Sequence, residues 1–355
     1  MKRRTRQRPE IREFILRNIK NYPQEIASRT AKEFGVSRTT ANNYVRQLIK
    51  NGIIIGEGKT NARHYKICYL VDEVFQLRVT VHLEEDVIWR HKILPLIKDV
   101  KQNIIDICQH GFTEMLNNVV DHSTSYNVII SYRQTYNRIT INITDQGIGI
   151  FNKIQQSFKL PDPRSALLEL SKGKLTSYPA KHSGEGVFFT SRMFDEFFIL
   201  SDTLFYRRTR QNDADWLIES KDQKASEKGT HIGMSISLDA TWTTREVFER
   251  YENDGIGFRK THVPINLSKY PGEQLVSRSQ AKRILSRFND FSEVMLDFKG
   301  VQTIGQAFAD EIFRVFKNEH PAITIYAVNT TPEIDDMIHH VQKAALSMAA
   351  KSPLT

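Results

Sequence analysis

Apolar positions over the first seventy residues repeat at helical intervals and then change to alternation. Ile11, Phe14, Ile15 and Ile19 follow Pro9 three and four apart and predict a first helix. Pro23 opens a second, carrying Ile26, Ala27, Thr30, Ala31 and Phe34, and Gly35 closes it. Ser37 is placed to cap a third. On that helix Ala41, Val45, Leu48 and Ile49 share one face, and Arg38, Thr39, Asn42, Asn43, Arg46 and Gln47 share the other. Gly52 ends it, and two short strands at 53–55 and 64–67 follow, joined by the glycine- and cation-rich loop GEGKTNAR.

Further on, alternation predicts a strand over 75–81, and residues 84–100 read as a helix. FTEMLNNVVDHS (112–123) has an apolar helical face of Phe112, Met115, Leu116 and Val119. Alternating strands are predicted at 126–132 and 139–144, turning near Tyr136 and Asn137, and another at 231–238. Residues 241–257 form a charged helical connector. From about residue 260, strands at 263–267, 294–298 and 322–328 alternate with helices at 277–288, 305–316 and 332–348, which implies an α/β layer.

A chain of 355 residues is too long for one ordinary core and points to two or three domains. No apolar run approaches the roughly eighteen residues of a membrane helix, and the basic N-terminus lacks the apolar stretch of a signal peptide. Cys68 and Cys108 are few and isolated, which fits a reducing cytoplasm and two small buried side chains. His64 and His110 lie near them, but two separated pairs fall short of a zinc site. Charge changes the picture most. Residues 1–67 hold 16 Lys and Arg against 5 Asp and Glu, a net of +11, whereas the whole chain carries +9. The basic character belongs to the first segment and suggests a polyanionic partner.

Three short helices and a basic hairpin over residues 9–67 resemble a winged helix-turn-helix. That resemblance implies DNA binding. The exposed face of the third helix (Arg38, Thr39, Asn42, Asn43, Arg46) carries side chains that can reach base edges, and Lys59 and Arg63 can neutralise phosphates. A winged helix used for protein contacts is the competing reading. His91 is a surface or capping histidine on this pattern, since too little chain precedes the next motif for a sensor-kinase dimerisation domain.

Three further motifs come in a fixed order. Glu114, Asn118 and His122 fall four apart on one side of their helix. Asp145-Gln-Gly147-Ile-Gly149 follows the strand pair. HSGEGVFFTS (182–191) places Gly184 and Gly186 before an apolar helical run, where free backbone N–H groups favour phosphate oxygens. These resemble the N, G1 and G2 boxes of the Bergerat (GHKL) ATP-binding superfamily of gyrase, heat-shock chaperones, sensor kinases and MutL. Gly229-Thr230 resembles its closing Gly-Thr. The resemblance implies a mixed sheet with helices on one face over residues 103–240, with ATP and Mg²⁺ as ligands. It implies that Asn118 ligates the metal, Glu114 activates the attacking water or hydroxyl, and Asp145 accepts from the adenine amino group. The glycines and Thr230 would complete the pocket, and a lid over 171–183 would bring Lys172, Lys174 and Lys181 into solvent or onto phosphate. A Glu at position 114 points to anti-sigma serine kinases or ATPases more than to histidine kinases.

Residues 294–313, VMLDFKGVQTIGQAFADEIF, resemble a STAS-like domain, the fold of anti-sigma-factor antagonists. The stretch 304–307 has no serine where those antagonists are phosphorylated, and Thr303 lies early; a protein-contact or internal regulatory role is implied. Asp310 and Glu311 are expected on a helix surface. The expectation is a multidomain α+β and α/β chain: winged helix to residue 67, connecting strand and helix over 68–102, ATP domain over 103–240, connector over 241–259 and STAS-like layer over 260–350. Its function would be that of a cytoplasmic ATP-dependent DNA-binding switch, compatible with a homodimer and with no membrane partner. A Ser/Thr kinase of the anti-sigma type and an ATPase clamp or defence effector on DNA are the alternatives.

Overall fold

A computed structural model describes residues 9–59, 63–97, 99–175, 184–210, 214–219, 227–252, 258–270 and 272–349. Two compact units emerge, one of residues 1–73 with 132–139, the other of 74–131 with 140–355.

In the first unit, α1 (Pro9–Asn18), α2 (Ile26–Phe34) and α3 (Arg38–Lys50) precede an antiparallel pair, β1 (Ile54–Glu57) and β2 (His64–Ile67). The local signals act as expected. Gly35 takes a left-handed conformation at φ 60° and returns its N–H to Ala31 O, and the Ser37 hydroxyl accepts from Thr40 N at 3.1 Å. Ile11, Ile15, Ile19, Ile26, Ala41, Val45, Leu48 and Ile53 close one core, joined by Tyr136 from the 132–139 tip. The structure is mixed α/β, with three separate sheets.

The largest sheet has seven strands in the order β3-β4-β5-β9-β6-β7-β8. They are β3 (Val71–Arg78), β4 (Asn127–Gln134), β5 (Arg138–Asp145), β6 (Glu196–Asp202), β7 (Leu204–Thr209), β8 (Ala214–Glu219) and β9 (Glu227–Ser237). Within the second unit, Val128, Ile130, Ile141, Ile143, Phe197, Ile199, Ile232, Met234 and Ile236 form its buried face. The long helix α5 (Gln102–His122) lies close to it, because Gly111 has no Cβ: one built there would fall 2.4 Å from the Phe194 ring and 3.1 Å from Met234 Sδ. The opposite face is polar and half-exposed, with Thr140 Oγ1 on Ser235 Oγ and Thr144 Oγ1 on His231 Nδ1. Between β5 and β6 lie α6 (Ile150–Phe158), α7 (Pro163–Lys172) and α8 (Gly186–Met193).

The helix expected over 84–100 divides into α4 (Glu85–Ile88), a π turn over Trp89–Ile93 and a 3₁₀ turn over Leu94–Leu96. Pro95 explains the break, since it has no N–H to donate and its ring collides with the preceding turn. Past β9, α9 (Thr244–Tyr251) begins on a capping box of Thr243 and Glu246. Three parallel strands then form the last sheet: β10 (Lys260–Pro264), β11 (Glu293–Asp297) and β12 (Thr324–Val328). They alternate with α10 (Arg278–Leu285), with α11 (Gln306–Asp310) continuing through a π turn into α12 (Lys317–Glu319), and with α13 (Pro332–Ala349). The expected strand at 263–267 lies earlier, because Ile265–Ser268 turns into a 3₁₀ helix after Pro264.

Candidate functional site

A cavity of about 290 Å³ opens in the second unit between α5, the end of β5, α6 and the start of α8. Among its lining residues are Glu114, Asn118, Asp145, Gly149, Gly184, Gly186 and Thr230, so four motifs far apart in sequence meet around one space. That volume is at the lower end of ordinary small-molecule sites.

Asp145 ends β5 and is only 3% exposed. Its Oδ1 accepts from Gly147 N at 2.8 Å, and Thr230 also donates to its carboxylate. Burial pushes its carboxyl above the usual range, and the bonds from Gly147 and Thr230 oppose that rise. The backbone around it leaves no room for side chains. A Cβ on Gly147 would lie 1.8 Å from Ser123 O, and one on Gly229 would lie 2.1 Å from Asp145 O. Gly149, at φ 84°, would strike Ser201 Oγ at 2.6 Å. Thr230 Oγ1 accepts from Ile150 N at 3.0 Å, which ties β9 to the start of α6.

Glu114 and Asn118 are half-buried on α5, one turn apart, and both face the cavity. A Cβ on Gly186 would fall 2.0 Å from Glu114 Oε2, so the glycine lets the start of α8 approach that carboxylate. Gly184 is at φ 70°, and its carbonyl accepts from Leu175 N at 3.0 Å. Lys153, one turn into α6, also lines the cavity and was not singled out from the sequence. Its position four residues past Gly149, on a helix whose apolar residues are Ile150, Phe151, Ile154 and Phe158, was the available signal. These residues fit a Mg²⁺–nucleotide: a buried acceptor for an exocyclic amine, a side-chain oxygen for a hard cation, a carboxylate and a glycine cradle. Bound there, the nucleotide would supply a phosphoryl group activated by its metal.

Two lysines expected in solvent or on phosphate are engaged elsewhere. Lys172 is fully buried; its Nζ donates to Glu169 Oε1 at 2.7 Å and to Ser286 O at 2.8 Å. Burial lowers its pKa to about 8. Lys174 Nζ donates to Asp290 O at 2.9 Å and lies over the Phe258 and Phe291 rings. The sequence could not anticipate this, since apart from Glu169, three residues before Lys172, the partners lie over eighty residues away. Lys181 falls outside the described residues. Cys68, expected buried, is partly exposed; Cys108 is buried, and burial raises its thiol pKa. His110 is half-buried, edge-on to the Phe248 ring, and desolvation lowers its pKa to about 4.

In the first unit, Arg38, Thr39, Asn43 and Arg46 project from α3 into solvent, and Asn42 is half-buried. Lys59 and Arg63 flank the tip of the β1–β2 hairpin and are exposed. Among the described residues neither they nor Arg38 have an acidic partner, whereas Lys66 is paired to Glu57 at 2.7 Å.

In the C-terminal sheet, Asp297 accepts from Lys299 N and Asn329 Nδ2, each at 2.9 Å, and its other oxygen lies 3.0 Å from His262 Nε2. Burial raises its pKa, but these hydrogen bonds outweigh it and hold the carboxyl below the usual range. They fix the root of the β11–α11 loop, on which Thr303 is exposed. Asp310 is bonded to Arg314, and Glu311 is buried beside Arg278 and Lys282 rather than lying on the surface.

No described helix is long and apolar enough to cross a membrane. No curated protein matches the chain. Residues 280–335, from α10 into the first turn of α13, match the family model described as a STAS-like domain of unknown function (DUF4325).

Proposed function

We propose that the cavity binds ATP with Mg²⁺ and that the chain is a nucleotide-dependent regulator of Bergerat type whose N-terminal winged helix reads DNA. The observation that carries this reading is Asp145. A carboxylate 3% exposed, at a strand end, held by Gly147 and Thr230, walled by glycines with no room for a Cβ and lining the cavity, is placed to accept from one further donor there. The adenine amino group is such a donor. Asn118 offers the oxygen suited to Mg²⁺, and Glu114 is the base for water or a hydroxyl nucleophile. Lys153 and the N–H groups at the start of α8 face the same space and suit phosphate.

The DNA reading rests on the +11 charge of residues 1–67 and on the exposed Arg38, Lys59 and Arg63, which have no acidic partner among the described residues. The STAS-like segment supplies a surface for a protein partner. The test is incubation with Mg²⁺ and γ-labelled ATP beside Glu114→Ala. Free labelled phosphate, lost in the variant, makes the chain an ATPase switch or clamp. Label retained on protein makes it a kinase. Absence of nucleotide binding by the wild-type chain refutes the reading.

A further inference from the structure

One wall of the nucleotide cavity is the stretch from Leu170 to Leu175. Both leucines line the cavity, and Leu175 N donates to Gly184 O, which joins this wall to the glycine stretch before α8. The outer side of the same stretch is held by residues more than eighty positions later. Arg287 Nη2 donates to Gly173 O at 3.0 Å and also to Lys174 O, while its Nη1 reaches Glu169 Oε2 at 3.3 Å. Lys172 Nζ donates to Ser286 O, Lys174 Nζ to Asp290 O, and Thr261 Oγ1 to Lys172 O at 2.7 Å. Gly173, at φ 80°, lets the Phe258 and Phe188 rings close over it; a Cβ there would lie 2.7 and 3.0 Å from them.

Arg287 is itself in the left-handed region, at φ 62°. An arginine gains nothing locally from that conformation, and such residues persist where surrounding contacts over-determine them. Here the contacts are two main-chain carbonyls of the cavity wall and a buried carboxylate. A guanidinium fork matches that set of acceptors, and a single ammonium does not.

We infer that Arg287 is a positioning residue for the nucleotide site, by which the α10–β11 corner fixes the wall Leu170–Leu175 and so sets how long nucleotide stays bound. This inference rests on the ATP reading above. The consequence is that a partner bound to the corner at residues 286–290 would alter nucleotide release without touching nucleotide. Coupling of this kind requires only that the partner favour one position of the wall.

The experiment is stopped-flow release of a fluorescent ATP analogue from the full chain, with the apo melting temperature measured in parallel. Arg287→Ala should release the analogue about tenfold faster, as loss of a charge-assisted hydrogen-bond set predicts. Arg287→Gly should do the same although it relieves the left-handed backbone, so faster release would accompany an apo melting temperature no lower than that of the alanine variant. Arg287→Lys should fall between wild type and alanine. Lys174→Met, at a half-exposed site that does not endanger folding, should quicken release to a smaller degree. Release unchanged in all four variants, with wild type binding normally, overturns the positioning role and leaves the ATP site standing. Absence of binding by wild type overturns both.

Discussion

Replacing Glu169 by Gln keeps the volume of a buried side chain and removes its charge. Glu169 is 4% exposed and faces two cations, Lys172 Nζ at 2.7 Å and Arg287 Nη1 at 3.3 Å. Even beside this carboxylate, burial has lowered the Lys172 pKa from 10.5 to about 8. At about 1.4 kcal/mol per unit, the charged ammonium is already held at a disadvantage of roughly 3 kcal/mol relative to the unfolded chain. Without Glu169 that pKa falls further. The folded pKa lies below the unfolded one, so the folded form binds fewer protons between them and stability rises with pH across that window. In Glu169→Gln the window opens at lower pH than in wild type. The variant should therefore be less stable by about 3–5 kcal/mol near pH 6, the usual result of stranding one member of a buried pair. Its deficit should shrink as pH rises toward 9. Urea denaturation followed by circular dichroism at pH 6 and pH 9 measures both values. A deficit under about 1 kcal/mol at pH 6, or one that does not change with pH, would refute the reasoning.

Gly186→Ala should leave stability nearly unchanged, since alanine suits a helix start at least as well as glycine. It should cut ATP turnover or transfer by at least about tenfold, because its Cβ would displace the Glu114 carboxylate now 2.0 Å from that position. Gly229→Ala should be far harsher: at φ 96° and with Asp145 O 2.1 Å from the new Cβ, it should lower the melting temperature and abolish nucleotide binding together, as a thermal shift assay with and without ATP would show. Lys59→Ala with Arg63→Ala should weaken duplex DNA binding uniformly across sequences and reduce the salt dependence of log K by about one unit per lost phosphate contact. An unchanged salt slope in a titration at several ionic strengths would remove the hairpin from the DNA interface.

What the sequence made legible was local. Helix starts at Ser37, the glycine stop at Gly35 and the alternation of β4 and β5 depend on neighbours within a few residues, and the structure bears them out. The cavity residues Glu114, Asn118, Asp145, Gly184, Gly186 and Thr230 could be picked out because the motifs that carry them resemble, in order and spacing, the boxes of a known superfamily, and the structure brings them to one space. Strands β6, β7 and β8 and helices α6 and α7 went unassigned. Lys172 and Lys174 read as solvated cations because periodicity carries no information about partners over a hundred residues away. Arg287 gave no signal at all: its left-handed backbone and its hold on Gly173 and Lys174 exist only in the folded chain.

The most direct test of the central claim is calorimetric titration of the chain with ATP and with GTP, both with Mg²⁺, beside Asp145→Ala. A buried acceptor should welcome the amino group of adenine and reject the carbonyl oxygen guanine offers in its place, so GTP should bind at least about a hundredfold more weakly. Loss of the carboxylate should weaken ATP by about thirtyfold. Equal affinity for the two nucleotides, or an Asp145→Ala variant that binds ATP as wild type does, would contradict the account.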